Sequence, residues 1–344
     1  MKTYTVTFEL VTPCISAGAG QKSAEIRVPE IRALFRSWLR WAGMGRDVEE
    51  TLFGKLGESP KAGKIVVRMT SRQPQSIELV PPRNDYFLWT LAHQANNRGF
   101  FRPGAEIELE ILDRAEQTNS ISFRKVLEMA LLLGSLGTRS RRGYGSIYPV
   151  SVVCDDGWEM TVPRTLQVFK DKLTEFNLKG IRILSLGKVV NDYSNAISQC
   201  SIFLHKARCG SNGPAINASQ WGSEDNEGIR SQNPSTLSRP ALGLPMPIRY
   251  KRGGQYSITL SDDEKESRWA SPVIFKVIKL NQDHVPLAIF LKRYCMPEGT
   301  DLKVNVIGTR RVMNASASRK LFDVLMNPAR HKEFDFNGAE VLWG

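Results

Sequence analysis

The sequence is poor in the residues that most often carry catalysis or bind metals. Its 344 residues include only four histidines, and no two of them have the H-x-x-x-H spacing of a helical metal site. Its five cysteines are widely spaced and contain no C-x-x-C pair, so neither a disulfide framework nor a thiolate zinc site is indicated. A G-x-S-x-G nucleophile elbow is also absent. We therefore predict no catalytic residues, no metal site and no cofactor.

Long apolar runs are missing as well. No stretch approaches the roughly 18 consecutive apolar residues of a transmembrane helix. The N-terminal segment MKTYTVTFELVTP alternates like a strand instead of forming the apolar core of a signal peptide. We therefore expect a soluble cytoplasmic protein that does not enter a membrane and whose thiols are reduced.

Negative charge is outnumbered by positive charge. The sequence has 47 Lys and Arg against 35 Asp and Glu, which gives a formal net charge of +12. Such an excess favours a polyanionic partner, with nucleic acid first and a membrane surface second. Because no membrane segment is predicted, nucleic acid is the expected partner.

The order of predicted elements in the first half indicates a ferredoxin-like fold. Alternating or β-branched segments predict strands and amphipathic segments predict helices, in the order strand, helix, strand, strand, helix, strand. The segments are KTYTVTFEL, VPEIRALFRSWLRWAG, KIVVRMTS, AEIELEIL, ISFRKVLEMALLLGSLG and GSIYPVSVV. This is a split βαβ unit, in which two helices pack on one face of an antiparallel sheet. It accounts for residues 1–155 as the first domain.

Residues 156–344 predict a second α+β domain whose topology the pattern does not order. Helices are predicted for PRTLQVFKDKLTEF and SASRKLFDVLM, and strands for YSITL, SPVIFKVIKL, VPLAIFLKRY and GAEVLW. Residues 210–239 are rich in Gly, Ser and Asn and predict a long loop. The acidic run SDDEKE is interpreted as a solvated connection. A repeat of the first architecture fits, so the predicted fold class is α+β with two tandem ferredoxin-like, RRM-like domains.

The segment GSLGTRSRRGYGSI, residues 134–147, concentrates three arginines between glycines. Planar guanidinium groups suit phosphates, glycines let backbone N–H groups approach a ligand, and Tyr144 offers a ring for base stacking. We predict that this arginine loop (residues 134–147) binds single-stranded RNA. The alternative is an ordinary solvated turn.

The first predicted helix carries a second basic feature. Arg32, Arg36 and Arg40 are spaced i, i+4, i+8 opposite the apolar face, and Arg27 stands just before the helix. Apart from Glu30, the helix has no carboxylate to neutralise this arginine stripe (Arg32, Arg36 and Arg40). The stripe is therefore predicted to follow a phosphate backbone, with an ordinary exposed helix face as the alternative.

Three stretches in this order resemble the RAMP superfamily of CRISPR systems, and within it the family of first, head-capping subunits of the type III-B Cmr effector complex. They are IRVPEIRALFRSWLRWAG, then LFGKLG followed by GKIVV, then GSLGTRSRRGYGS; ALGLPMPI and RWASPVIFKVI add to the likeness. The resemblance implies tandem ferredoxin-like domains that contact the guide RNA near its 3′ end and the target RNA. It also implies that other RAMP subunits lie alongside in a multi-subunit ribonucleoprotein of antiviral defence, and that the nuclease activities belong to other subunits.

Carried onto this sequence, the resemblance implies RNA contacts from the arginine loop, the basic helix and the Leu-Phe-Gly stretch. The predicted RNA-binding residues are Arg27, Arg32, Arg36, Arg40, Lys55, Gly137, Arg139, Arg141, Arg142, Gly143, Tyr144 and Gly145. Where a processing RAMP carries a histidine near the first helix this sequence has none, so cleavage of the guide is not expected. Two alternatives stay open. One is a metal-independent RAMP endoribonuclease that processes CRISPR transcripts, and the other is a structural subunit whose arginines contact acidic protein surfaces.

Overall fold

The computed structural model describes most of the chain. The described residues are 1–17, 23–78, 87–88, 99–209, 220–244, 246–249, 254–261 and 268–344. The predicted connection SDDEKE lies outside these ranges except for its first residue, and so do residues 210–219 of the predicted long loop.

The first half folds in the predicted order around a four-stranded sheet. Its strands are β1 (Lys2–Leu10), β2 (Ile65–Met69), β3 (Ser76–Glu78), β4 (Gly99–Phe101), β5 (Glu106–Asp113) and β6 (Ile147–Cys154). Its helices are α1 (Val28–Trp41), α2 (Arg46–Phe53) and α3 (Gln117–Leu133). The main sheet has the order β2-β5-β1-β6 with every pair antiparallel, which is the ferredoxin-like arrangement. The short strands β3 and β4 pair separately, and α2 was not predicted.

The alternation in β1 decides which face of the sheet is covered. Tyr4, Val6 and Phe8 point to one side and are fully buried. On the helix side, Phe35 of α1 meets Phe123 of α3 edge to face, with ring centroids 6.0 Å apart. Each such buried aromatic side chain stabilises the fold by about 1.5–3 kcal/mol relative to an exposed one. The two predicted helices therefore lie together on one face.

The second half contains a four-stranded sheet with the same strand order and, in addition, an inserted five-stranded sheet. Its strands are β7 (Ile181–Leu186), β8 (Thr236–Leu237), β9 (Met246–Arg249), β10 (Gln255–Leu260), β11 (Val273–Leu280), β12 (Asp283–Leu291), β13 (Asp301–Val306), β14 (Val312–Ala317) and β15 (Ala339–Trp343). Its α-helices are α4 (Leu166–Phe176), α5 (Tyr193–Cys209), α6 (Gln220–Arg230) and α7 (Lys320–Leu325). The sheet β11-β12-β7-β15 is antiparallel throughout, and its strands take the places of β2, β5, β1 and β6. The predicted fold class is therefore confirmed.

The inserted sheet has the order β8-β14-β13-β10-β9 and a small apolar core of its own. Its strands come from two separate segments, one before β11 and one after β12. A larger apolar core runs without interruption through both ferredoxin-like units. The division into domains at residues 155 and 156 stays a prediction.

The predicted loop over residues 210–239 is wrong from residue 220 onward, where α6 begins. Trp221, Asp225 and Ile229 are spaced i, i+4, i+8 and are all buried. The Asp225 carboxylate accepts hydrogen bonds from the backbone N–H of Ser238 and from both the backbone N–H and Nε of Arg239, at 2.8–3.0 Å. The high content of Gly, Ser and Asn predicted a loop, but the buried face of this helix is stabilised by tertiary packing.

Candidate nucleic-acid interface

The glycines of the arginine loop allow a tight backbone path. Gly137, Gly143 and Gly145 have φ values of +80°, +82° and +64°, which side chains other than glycine rarely adopt. A Cβ atom on Gly145 would lie 1.9 Å from the carbonyl oxygen of Leu136, and one on Gly137 would lie 2.5 Å from that of Ile15. At both positions the close neighbour is protein backbone. These two glycines therefore serve the packing of the loop.

The loop is fixed to the segment that follows β1. The backbone N–H of Thr138 donates to the carbonyl oxygen of Ile15 at 2.6 Å, and that of Gly145 donates to Pro13 at 2.8 Å. The Thr12 hydroxyl donates to the carbonyl oxygen of Gly143 at 2.7 Å. The connection after β1 and the turn after α3 thus lie side by side, which brings the start of α1 close to the arginines.

Two of the three loop arginines reach toward the second half of the chain. The Arg141 guanidinium donates to the carbonyl oxygen of Ser271, and its Cζ lies 5.3 Å from the ring centroid of Trp41. Cζ of Arg142 lies 5.9 Å from the ring centroids of both Phe87 and Phe275. Contacts of this kind between a cation and a ring face hold the arginines in place and leave their charge intact.

Lys276, which the sequence pattern did not single out, also links the arginine loop to the second half of the chain. Lys276 is fully buried on β11, and its Nζ donates to the carbonyl oxygens of Gly134 and Ile147 at the two ends of the loop. Burial lowers the pKa of Lys276 well below its usual range. The signal in the sequence was a lysine in the middle of the apolar run VIFKVI. Such a residue needs specific partners when the strand is buried on both faces.

Arg141 differs from Arg36 and Arg40 of the stripe in its electrostatic surroundings. Within the described ranges it forms no ion pair with a carboxylate, and burial lowers its pKa. A partly desolvated cation without a counter-ion is an attractive partner for an anion such as a phosphate. The surroundings of Arg141 therefore suit an anionic ligand.

Tyr144 does not have the role that the sequence suggested. The residue is only 4% exposed and belongs to the apolar core. No face of its ring is open to a nucleobase, so the expectation of stacking on Tyr144 is corrected. The residue supports the loop from inside.

The arginine stripe on α1 has a carboxylate partner that the sequence reading missed. Glu49 of α2 is 7% exposed and accepts from Nε and Nη2 of Arg40 at 2.7 and 2.6 Å and from Nε of Arg36 at 3.0 Å. The hydrogen bond from Arg40, followed by that from Arg36, lowers the pKa of Glu49. Arg32 donates to the carbonyl oxygen of Phe53 at 3.0 Å. The expectation of an unneutralised stripe is therefore wrong, because the next helix supplies the negative charge.

Arg27 and Lys55 flank this region. Arg27 is exposed and occupies the position just before the first turn of α1. Nζ of Lys55 lies 3.7 Å from a carboxylate oxygen of Glu50, and the lysine side chain is partly exposed. Both cations are accessible to a ligand.

A cavity of 230 Å³ lies between α1, the arginine loop and the first residues of β11. We call it the loop cavity; its lining includes Glu30, Ser37, Trp38, Trp41, Arg141 and Ile274. The Glu30 carboxylate accepts from the backbone N–H of Gly137 and from the Ser16 hydroxyl, the latter at 2.7 Å. The cavity thus joins the two predicted RNA-binding elements.

Among the residues described, no group of three or more His, Cys, Asp or Glu side chains is placed to hold a metal ion. No helix among the same residues has the length and apolar composition needed to span a bilayer.

Comparison with protein families identifies the part of the chain that carries the loop. Residues 7–148, from within β1 to the first residues of β6, match the model of the RAMP superfamily. This part of the chain is a RAMP domain. It contains α1, the arginine loop and most of the loop cavity, so the RAMP resemblance inferred from the sequence is confirmed.

The likeness extends beyond the RAMP domain. The chain is 23% identical over 282 residues to the CRISPR system Cmr subunit Cmr1-1 of Pyrococcus furiosus, covering 74% of this chain and 77% of that one. It is 26% identical over 169 residues to Cmr1-2 of the same organism, covering 40% of this chain and 90% of the relative.

Two solved structures share the fold over nearly the whole length. The crystal structure of apo Cmr1 from Pyrococcus furiosus superposes with a TM-score of 0.59 at 18% identity, covering 99% of both chains. A chain of the cryo-EM structure of the type III-B Cmr-beta bound to cognate target RNA gives a TM-score of 0.50 at 10% identity, covering 97% and 99%. The RAMP domain and the second ferredoxin-like unit therefore occur together in Cmr1.

Proposed function

We propose that this chain is a non-catalytic, RNA-binding subunit of a type III-B Cmr effector complex. Its relatives in Pyrococcus furiosus are Cmr subunits, and a chain with the same fold occurs in a Cmr particle bound to target RNA. The partners would be the guide RNA near its 3′ end, the target RNA and other RAMP subunits, and the location the cytoplasm. The observation that carries the proposal is the partly buried Arg141 guanidinium on the loop of a RAMP domain, which pairs with no carboxylate among the residues that the structure describes.

Phosphate contacts would provide most of the affinity in this proposal. Neutralising phosphates releases counter-ions, so affinity should fall steeply as salt concentration rises. The protein would recognise the RNA backbone, and pairing between guide and target would read the sequence, as in other RNA-guided systems.

The predicted residues differ in the contribution to RNA binding that we assign to them. Arg141, Arg139 and Arg142 on the loop, with Arg27 and Lys55 beside α1, are the cations we assign to RNA. Arg36 and Arg40 share the Glu49 carboxylate and contribute less, and Tyr144 is structural.

The test is a salt series of affinities for a short single-stranded RNA. Arg139→Gln and Arg141→Gln together should weaken binding and flatten the slope of log K against log salt by about 0.7 for each lost phosphate contact. Arg46→Gln on α2 is the control, because that side chain is 85% exposed and already pairs with Glu50. Urea denaturation confirms that each variant is folded. A folded double variant with an unchanged slope would contradict the assignment of RNA to this loop.

The absence of catalysis has its own test. The purified chain is incubated with repeat-containing RNA in EDTA and analysed on a denaturing gel. Intact RNA supports a binding subunit, whereas cleavage at a defined position would establish the metal-independent endoribonuclease.

A further inference from the structure

The loop cavity has a chemical lining that the proposed phosphate contacts do not use. Resting on the proposed function, we propose that this cavity takes up one unstacked nucleobase of the bound RNA while the adjoining phosphate lies against Arg141. The size of the cavity, its aromatic wall and the two opposite charges in its lining, Glu30 and Arg141, support this assignment.

The size of the cavity limits what it can hold. Its 230 Å³ is below the roughly 300–1,000 Å³ typical of pockets for drug-sized ligands. A single heterocyclic base fits such a volume, whereas a length of RNA backbone with its hydration does not. The cavity therefore suits one group projecting from a chain that runs outside it.

Two tryptophans of α1 form an aromatic wall of the cavity. Trp38 and Trp41 meet edge to face with ring centroids 5.2 Å apart, and the Arg141 guanidinium covers the Trp41 ring. Unstacked bases of RNA bind by stacking on aromatic rings and on arginine planes. Trp41 is partly exposed at the end of α1, so its indole can be reached from solution.

The lining carries one anionic and one cationic side chain, Glu30 and Arg141, which suit different parts of a nucleotide. Glu30 in the cavity lining is a carboxylate with one oxygen held by the Gly137 N–H and the other by the Ser16 hydroxyl. An ionised carboxylate has about four acceptor positions in all, so it can still accept from an N–H group. It would repel a phosphate, whereas the Arg141 cation attracts one. A base that donates from an exocyclic amino group fits Glu30, as glutamate accepts from the N4 amino group of cytosine.

This arrangement gives the cavity a base preference. Cytosine, adenine and guanine carry an exocyclic amino group with two N–H donors for Glu30, whereas uracil offers only its single ring N3–H. We therefore expect short oligo(C) to bind more tightly than short oligo(U). The two have equal length and charge and make the same phosphate contacts, so a difference in affinity would come from the base.

The test compares fluorescently labelled oligo(C) and oligo(U) at one salt concentration by anisotropy. Trp41→Ala should weaken oligo(C) binding about tenfold, the loss expected for one stacked base, without changing the salt slope. Trp41→Phe keeps a ring and should restore most of the affinity. Glu30→Gln should reduce the ratio between oligo(C) and oligo(U). Trp343→Ala on β15 is the matched control, because Trp343 is partly exposed like Trp41 and lies outside the cavity lining.

The outcomes separate this inference from the function on which it rests. If the wild-type chain and assembled particle both fail to bind RNA, the proposed function is wrong. If RNA binds with a normal salt slope, but Trp41→Ala behaves like Trp343→Ala and the base preference is absent, the nucleobase site is wrong and the proposed function stands. If Trp41→Phe does not restore affinity lost in Trp41→Ala, the residue acts through the fold of α1 and the nucleobase site is again wrong.

Discussion

The arginine stripe of α1 and the arginine loop each contain three arginines within a short stretch, yet the fold gives them different partners. On α1, Arg36 and Arg40 meet the carboxylate of Glu49. In the loop, Arg141 and Arg142 meet ring faces, and Arg141 also meets a carbonyl oxygen. A carboxylate cancels the charge of an arginine, whereas a ring or a carbonyl group positions the charge and preserves it. A density of arginines in a sequence therefore predicts an anion site only when the partners of each arginine are known.

The largest effect is expected from breaking the shape of the loop. In Gly145→Ala the new Cβ would stand 1.9 Å from the Leu136 carbonyl oxygen at φ +64°, so we expect a loss of about 3 kcal/mol or more in the free energy of unfolding. Gly143→Ala is the control. Gly143 has a similar φ of +82°, but its nearest neighbour is the Ile197 Cγ1 at 3.9 Å, and the cost should be about 1–2 kcal/mol. Urea denaturation measures both, and equal losses would show that steric contact is not the cause.

The next effect is expected from removing the carboxylate that Arg36 and Arg40 share. Glu49→Gln removes the ion pairs with Arg36 and Arg40, and we expect the free energy of unfolding to fall by about 1–2 kcal/mol. The loss should be smaller than for a fully buried ion pair because the Arg40 side chain is 58% exposed. The freed arginines should also strengthen RNA binding and steepen its salt dependence. Unchanged RNA affinity in a folded variant would show that the stripe faces away from the RNA.

The same pair should leave a signature in the pH dependence of stability. The pKa of Glu49 is lowered from its ordinary value of 4.5 by the hydrogen bond from Arg40 and then by that from Arg36. Its contribution is therefore present above about pH 4.5 and is lost as the pH falls through the lowered pKa of the folded state. We expect the wild type to lose about 1 kcal/mol more than Glu49→Gln between about pH 5 and pH 3. Parallel urea titrations at the two pH values test this, and identical losses would contradict it.

The smallest effect is expected for the solvent-exposed ion pair between Arg46 and Glu50 of α2. Arg46 donates to Glu50 at 3.0 Å, but its side chain is 85% exposed, so Glu50→Gln should change the free energy of unfolding by about 0.5 kcal/mol or less. A loss as large as that of Glu49→Gln would show that burial does not separate these two neighbouring carboxylates.

The first ferredoxin-like unit could be predicted because its elements carry local signals. The alternation of Tyr4, Val6 and Phe8 and the helical spacing in α1 and α3 do not depend on distant residues. In the second half, β7 is a short apolar run without alternation and the strands of the inserted sheet are rich in polar residues, so the repeat was suggested without its topology. Those elements take their form from pairing with distant strands.

The site was predictable in position and less so in chemistry. The arginine loop and α1 do come together around one cavity, but Arg141 is the one predicted arginine in its lining. Their partners, however, come from elsewhere in the chain: Glu49 lies 13 residues after Arg36, and Lys276 lies 142 residues after Gly134. Local patterning gives no information on such pairs, and it also gave no sign that Tyr144 turns inward.

The contact between the arginine loop and β11 has a consequence for the solubility of the second unit. β11 is the outermost strand of its sheet, and an open outer strand can recruit a strand from another molecule. Here the backbone N–H of Phe275 donates to the Arg141 carbonyl oxygen at 3.1 Å, and that of Val277 donates to the Ser146 hydroxyl at 3.1 Å. The loop therefore occupies hydrogen-bonding positions through which copies of this chain would otherwise aggregate.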